Sequence, residues 1–282
     1  MKYGAQLARI FTTSFAREVI SGNESGYLKE MQVAFPFIKQ VLSNNDYKLL
    51  FKNAFLLLAE DYRNEYVYKT VFYSKVLEEQ ERCNKLNVTT ELRSGNSITD
   101  IASFGSKRTS NSIEIKSDID NVLKAKDQVL DYQKMFPLVS LISSKKQIDH
   151  IYKEIPSDIG LIALNSDLSI SVLKKPKYND SFLDKNTMFY TLRRYEYEML
   201  VLDYYKFVPD VPNGLIFEEC YKLAMNIPVT DFYKIFRKRL SERIHAEDTD
   251  GLGIPDYLTF MARKSSLTKK EKTKFIEKVI VN

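Results

Sequence analysis

Residues 90–132 read TELRSGNSITDIASFGSKRTSNSIEIKSDIDNVLKAKDQVLDY, and the texture of this stretch decides the fold. Short runs rich in Thr, Ile and Ser are broken at Gly95 and Gly105. Runs of β-prone residues bounded by turn residues predict three strands, over 86–93, 97–103 and 110–116, with turns at 94–96 and 104–110. From Asn121 to Phe136 the apolar residues Val122, Ala125, Val129, Tyr132 and Phe136 fall at helical spacing, with Asp118–Asp120 offering an N-cap. Downstream, PLVSLI (137–142) reads as a buried strand and residues 143–155 as a second helix. GLIALNSDLSISVLKKP (160–176) holds two more strands that turn at Asn165–Asp167. The order of helix, three strands, helix, strand, helix and two strands predicts a mixed α/β core over 61–176.

Outward from this core the chain is helical on both sides. In region 1–60, YLKEMQVAFPFIKQVL (27–42) and DYKLLFKNAFLLLAEDY (46–62) carry apolar residues three and four apart. Pro36 is expected to kink or end the helix it interrupts. Residues 66–80 form a further amphipathic helix leading into the core. In region 177–282, TMFYTLRRYEYEMLVLDYYKF (187–207) reads as one long helix, followed by helices over 215–226, 229–244 and 266–280. Thr268 and Glu271 have the spacing of a capping box.

Composition narrows the class. Of 282 residues, 44% are hydrophobic and 28% charged, a globular balance that excludes wholesale disorder. Two cysteines, Cys83 and Cys220, make no disulfide framework, and two histidines exclude zinc sites built on several histidines. Arg9 interrupts the apolar start, so no signal-peptide core is evident. The aliphatic run 54–59 falls far short of the ~20 residues that span a bilayer. The expectation is a soluble, cytoplasmic protein with no membrane partner. The net charge is +5, and residues 262–282, with seven basic residues against Glu271 and Glu277, carry a surplus equal to all of it. Such a tail suits an anionic partner such as nucleic acid, or is simply a solvated helix face.

The chemistry lies in SIEIK (112–116). Strand alternation sends Ile113 and Ile115 to one face and Glu114 and Lys116 to the other. A hairpin turning near 104–109 brings Asp100 beside Glu114. Two carboxylates on neighbouring strands make a hard-oxygen site suited to Mg²⁺ or Mn²⁺. Such a cation polarises a phosphodiester and activates a bound water. Lys116 is then placed to orient or deprotonate that water, or to neutralise charge developing on phosphate oxygens. The same acid-x-lysine pattern occurs at Asp46-Tyr47-Lys48, but in a helical stretch where the two positions diverge. The bland alternative for Glu114 and Lys116 is an exposed ion pair contributing about 0–1 kcal/mol.

Residues 60–175 resemble the PD-(D/E)XK nuclease superfamily, with Asp100 as its first acid, Glu114 its second and Lys116 its lysine. The stretch is most similar to a small bacterial and phage branch carrying an acid-x-Arg-x-Gly segment, here Glu91-Leu92-Arg93-Ser94-Gly95. In that branch a glutamate-isoleucine-lysine strand precedes a helix with Gln and Asp-Tyr, here Gln128, Asp131 and Tyr132. Thr99 stands where the superfamily often has proline. The resemblance implies a restriction-endonuclease-like mixed-sheet core and Mg²⁺- or Mn²⁺-dependent hydrolysis of nucleic acid, DNA ahead of RNA. It implies metal ligation by Asp100, Glu114 and the Ile115 carbonyl, with Glu91 as an extra acid and Glu65, Glu78 and Glu79 competing for that role. Lys116 and Gln128 are the expected catalytic residues beside the two acids. Arg93, Lys107, Arg108 and Lys124 are candidate contacts to the nucleic-acid backbone. A homo-oligomer and a role in phage defence are compatible with it. The rival reading is a catalytically inactive nucleic-acid-binding or regulatory protein on a nuclease-like fold.

Two other features have ordinary readings. EDTDGLGIPDY (247–257) echoes a calcium loop through Asp248, Asp250 and Asp256, but Leu252 stands at a ligand position and the segment reads as an interhelical loop. His150 and His245 read as a surface residue and a helix-terminal cation.

Overall fold

A computed structural model describes residues 3–83, 86–105, 110–247 and 254–281. Lys107, Arg108, Asp248 and Asp250 lie outside the described residues, as do the side chains of Glu78, Glu79 and His245. Proline cannot continue a helix, and the chain breaks at Pro36 between α3 (Ser25–Met31) and α4 (Phe37–Asn44). Before them come α1 (Gly4–Arg9) and α2 (Thr13–Ser21), which sequence periodicity did not separate. After them come α5 (Tyr47–Asp61) and the long α6 (Glu65–Cys83).

The next elements are β1 (Leu86–Ser94), β2 (Ser97–Gly105), β3 (Ser110–Ile115), α7 (Ala125–Gln133), β4 (Leu138–Ser143), α8 (Lys145–Ile151), β5 (Gly160–Leu164) and β6 (Ile170–Lys174). The strands form one six-stranded sheet in sequence order. β1–β2, β2–β3 and β5–β6 pair antiparallel, whereas β3–β4 and β4–β5 pair parallel. Parallel neighbours need a crossover, and α7 and α8 supply the two. The expected helix over 121–136 is shorter: a 3₁₀ turn at Val122–Lys124 precedes α7.

Each sheet face has its own core. Ile101, Ile113, Ile115 and Ile142 pack on Tyr68, Phe72 and Tyr73 of α6. Ala102, Phe104, Leu141 and Leu161 face Val129 and Tyr132 of α7, together with Phe189, Phe232 and Phe236 from the following helices. Those helices are α9 (Lys185–Thr191), α10 (Arg194–Tyr205), α11 (Ile216–Met225) and α12 (Val229–Glu247). The single helix expected over 187–207 is two. Leu192 and Arg193 are extended, and Glu196 caps the second helix by accepting from the Arg193 N–H at 2.6 Å. A capping carboxylate satisfies an orphan N–H that a continuous helix would not have.

The C-terminal region divides between two cores. While α9–α12 cover the sheet, α13 (Asp256–Lys264) and α14 (Lys269–Ile276) join α1–α5 around Phe15, Phe51, Leu58 and Phe275. Phe51 and Phe275 meet edge to face at 5.5 Å, and Arg17 bonds Glu271 at 2.9 Å. The basic tail is thus an amphipathic helix docked on the N-terminal helices, with Lys269, Lys270 and Lys274 left exposed.

Candidate active site

Alternation on β3 places Glu114 and Lys116 under α7. Glu114 is 2% exposed and Lys116 8%, so the exposed ion pair is excluded. Lys116 Nζ donates to Glu114 Oε1 and to Gln128 Oε1, each at 2.6 Å. Tyr132, one helical turn after Gln128, donates to Glu114 Oε2 at 2.5 Å, and its hydroxyl also lies 2.8 Å from the Ile98 carbonyl. The helix crossing from β3 to β4 therefore fixes both ends of the Glu114–Lys116 pair.

Asp100 approaches from β2. Its Oδ2 accepts from the Ile115 N–H at 2.8 Å, and its Oδ1 lies 3.3 Å from Lys69 Nζ on α6. Ile115 thus enters the site through its N–H. Lys69 also pairs with Glu65, one turn earlier on α6, and lies 3.9 Å from Glu91 Oε1. Glu91 has φ +57°, the left-handed conformation that a non-glycine residue rarely adopts. Of the competing accessory acids, Glu65 and Glu91 both reach this cluster.

The remaining motif residues serve the scaffold or the surface. Gly95 turns the β1–β2 hairpin at φ +61°, and a Cβ there would lie 3.2 Å from Asp131 Oδ1. Asp131 accepts from Ser97 Oγ at 2.8 Å, and its carbonyl accepts from Ser94 Oγ, so the glycine and the aspartate clamp the hairpin to α7. Thr99 crosses to β3 through its hydroxyl, 2.6 Å from Ser112 Oγ. Arg93 and Lys124 are exposed and stand outside the bonded cluster, and His150 is on the surface. Sequence reasoning missed Lys69. Its signal was the Glu65-x-x-x-Lys69 spacing on an otherwise apolar helix face.

Burial, followed by the charge of Glu114, raises the Asp100 carboxyl to about 7, against the pull of Lys69 and the Ile115 N–H. Burial raises Glu114 as well, opposed by the Lys116 ammonium and the Tyr132 hydroxyl. Burial alone would lower Lys69, but Asp100, Glu65 and Glu91 outweigh it and hold it above its ordinary value. Among the described residues, Asp100, Glu65 and Glu91 pair with the Lys69 ammonium and Glu114 with that of Lys116. When all are ionised the cluster carries excess negative charge of the kind a divalent cation neutralises. Among the described residues no three acidic, His or Cys side chains form a ready metal cage. By donor chemistry, Asp100 and Glu114 are the carboxylates that could hold a hard cation.

A pH dependence follows for the protein without metal. The folded Asp100 pKa, about 7, lies above the ordinary aspartate value of 3.8. The folded chain therefore binds that proton more tightly than the unfolded chain. The resulting stability is full below pH about 4 and is lost as pH rises through about 7. In EDTA, thermal denaturation is expected to show Tm falling across that window, with a flatter profile for Asp100→Asn. A wild-type Tm that climbs from pH 4 to 7 as steeply as the variant's counts against this environment.

The fold and cluster define a mixed α/β protein with a buried acid–lysine centre between the sheet and helices α6 and α7. The chain belongs to the bacteriophage P4 protein cII family, whose model matches residues 58–254. That match spans the whole sheet and every residue of the cluster. No curated protein matches the chain. Among solved structures, the SPO1766 protein of unknown function from Silicibacter pomeroyi is similar at 13% identity over 38% of this chain and 70% of that one. Its TM-score of 0.30 supports no argument about fold or function.

Proposed function

We propose that the protein is a metal-dependent nuclease of PD-(D/E)XK type, on a restriction-endonuclease-like core, hydrolysing phosphodiester bonds of DNA. The observation that carries this reading is the convergence of Asp100, Glu114, Lys116 and Gln128 through the bonds above. Asp100 and Glu114, with Glu91 or Glu65, would hold Mg²⁺ or Mn²⁺, which supplies phosphate polarisation and a more acidic bound water. Lys116, held by Glu114 and Gln128, presents its ammonium where charge grows on phosphate oxygens. Tyr132 fixes the Glu114 carboxylate, and Lys69 offsets the charge of Asp100. A water oxygen bonds to phosphorus and releases a proton, the ester P–O bond breaks, and the leaving oxygen takes up a proton, so the proton count is unchanged.

Asp100→Asn tests the proposal. With Mg²⁺ or Mn²⁺, wild type is expected to cut plasmid or oligonucleotide DNA and to stop in EDTA. The variant is expected to lose at least about 100-fold in rate and to bind Mn²⁺ more weakly by calorimetry, since an amide oxygen is a poorer hard-cation ligand. A second reading, a non-catalytic nucleic-acid-binding or regulatory protein, is favoured by the lysine already paired with each acid. Equal residual cleavage by wild type and variant would establish it.

A further inference from the structure

A cavity of about 610 Å³ opens beside the Lys69 cluster, with Glu65, Lys69 and Glu91 at one end. Part of its lining comes from outside the family-matched segment: Arg9, Thr12 and Thr13 where α1 meets α2, and Ser265 and Ser266 after α13. Phe11, Tyr66 and Phe260 supply aromatic lining. The Phe260 ring stands edge-on to Tyr66 at 6.2 Å, with Lys69 Nζ 5.7 Å from its centroid. Ser265 Oγ is buried with no hydrogen-bond partner, an orphaned polar atom in the lining. Arg9 is held by Glu18 at 2.7 Å and lies over the Tyr27 ring at 4.2 Å, so its guanidinium is positioned.

Aromatic surface, the unpartnered Ser265 hydroxyl and the positioned Arg9 guanidinium match one chemical class, a nucleotide with its base, sugar and phosphate. The volume falls within the roughly 300–1,000 Å³ of small-molecule sites. A duplex keeps its bases stacked and paired, whereas an unpaired base is free to enter such a space. We propose that this cavity binds an unpaired nucleotide of a single strand, with its base inside. The inference rests on the nuclease reading for the identity of the adjoining site, and it makes single strands or frayed ends the substrate. The flanking helices are then part of the site, because only their docking closes the cavity.

The test is binding in EDTA, where cleavage plays no part. A short fluorescein-labelled oligothymidylate and a hairpin-capped duplex are titrated by anisotropy against wild type, Ala5→Trp and Ser266→Trp. Ala5 and Ser266 are exposed lining positions, so a large side chain fills the cavity without emptying a core. Each variant is expected to weaken single-strand binding by about tenfold or more, the loss of one stacked base, with duplex binding and Tm unchanged. Unchanged single-strand affinity in both overturns the inference. If either variant misfolds, photocrosslinking of wild type to 4-thiothymidine strands decides. Crosslinks within 5–13 or 257–266 support the cavity, and their absence there overturns it. The two readings fail separately. Cavity-dependent binding by a protein that cleaves nothing removes only the nuclease. Metal-dependent cleavage that the filled variants retain in full on single strands removes only the cavity.

Discussion

Lys116→Ala is expected to lower metal-dependent cleavage by about 10²–10⁴-fold, the usual range for removing a positioned acid–base or charge-stabilising group. It is also expected to destabilise the fold, which an exposed strand lysine would not do. Lys116 is buried, and its loss strands Glu114, 2% exposed, without its cation. Breaking a buried pair on one side costs about 3–5 kcal/mol. Activity loss alone would therefore be ambiguous. The double variant Glu114→Gln/Lys116→Met removes both charges, and replacing both partners of a buried pair can be nearly neutral. It should recover most of the Tm and none of the cleavage. Urea denaturation and single-turnover cleavage on the same preparations separate the two effects. A double variant that regains cleavage with its stability, or a Lys116→Ala protein cutting at the wild-type rate, would remove Lys116 from the chemistry.

Phe275→Ala is expected to cost about 3–5 kcal/mol and to loosen the N-terminal helices more than the sheet. Phe275 is 1% exposed and sits against Phe51, far from it in sequence. Leu267 and Val279 complete the same buried stripe. Deleting the tail to probe nucleic-acid binding would thus remove part of a core along with the charges. The charges are better tested alone. Replacing Lys269, Lys270 and Lys274 with Glu should leave stability within about 0.5 kcal/mol per site. If these lysines track a phosphate backbone, the log–log salt slope of duplex binding should flatten by about 0.9 for each phosphate no longer neutralised. An unchanged slope assigns the tail wholly to its packing role. Hydrogen exchange on Phe275→Ala locates the loss of stability. Opening spread evenly through β3 and β4 would contradict a helical core separate from those of the sheet.

The local pattern of the chain determined the strands of its sheet, most of its helices and one half of the bonded cluster. Alternation of period two in Ser112–Lys116 separates Ile113 and Ile115 from Glu114 and Lys116 whatever the neighbours are, because a strand's backbone dictates it. Helical periodicity after Asn121 likewise puts Gln128 and Tyr132 on one face. Gly95 marks its turn because only glycine is easy at φ +61° against Asp131. What tertiary structure alone decided is which surfaces meet. Lys69 sits in an ordinary amphipathic helix, and nothing local says that this helix crosses the sheet at Asp100. The break at Leu192–Arg193 depends on Glu196 capping the Arg193 N–H, a choice the helix-forming residues around it do not announce. The apolar stripe of Leu267, Phe275 and Val279 requires a partner, but a stripe is complementary to many others. Only the folded chain selects Phe51, because burial energy is non-directional and shape complementarity in three dimensions chooses among apolar partners.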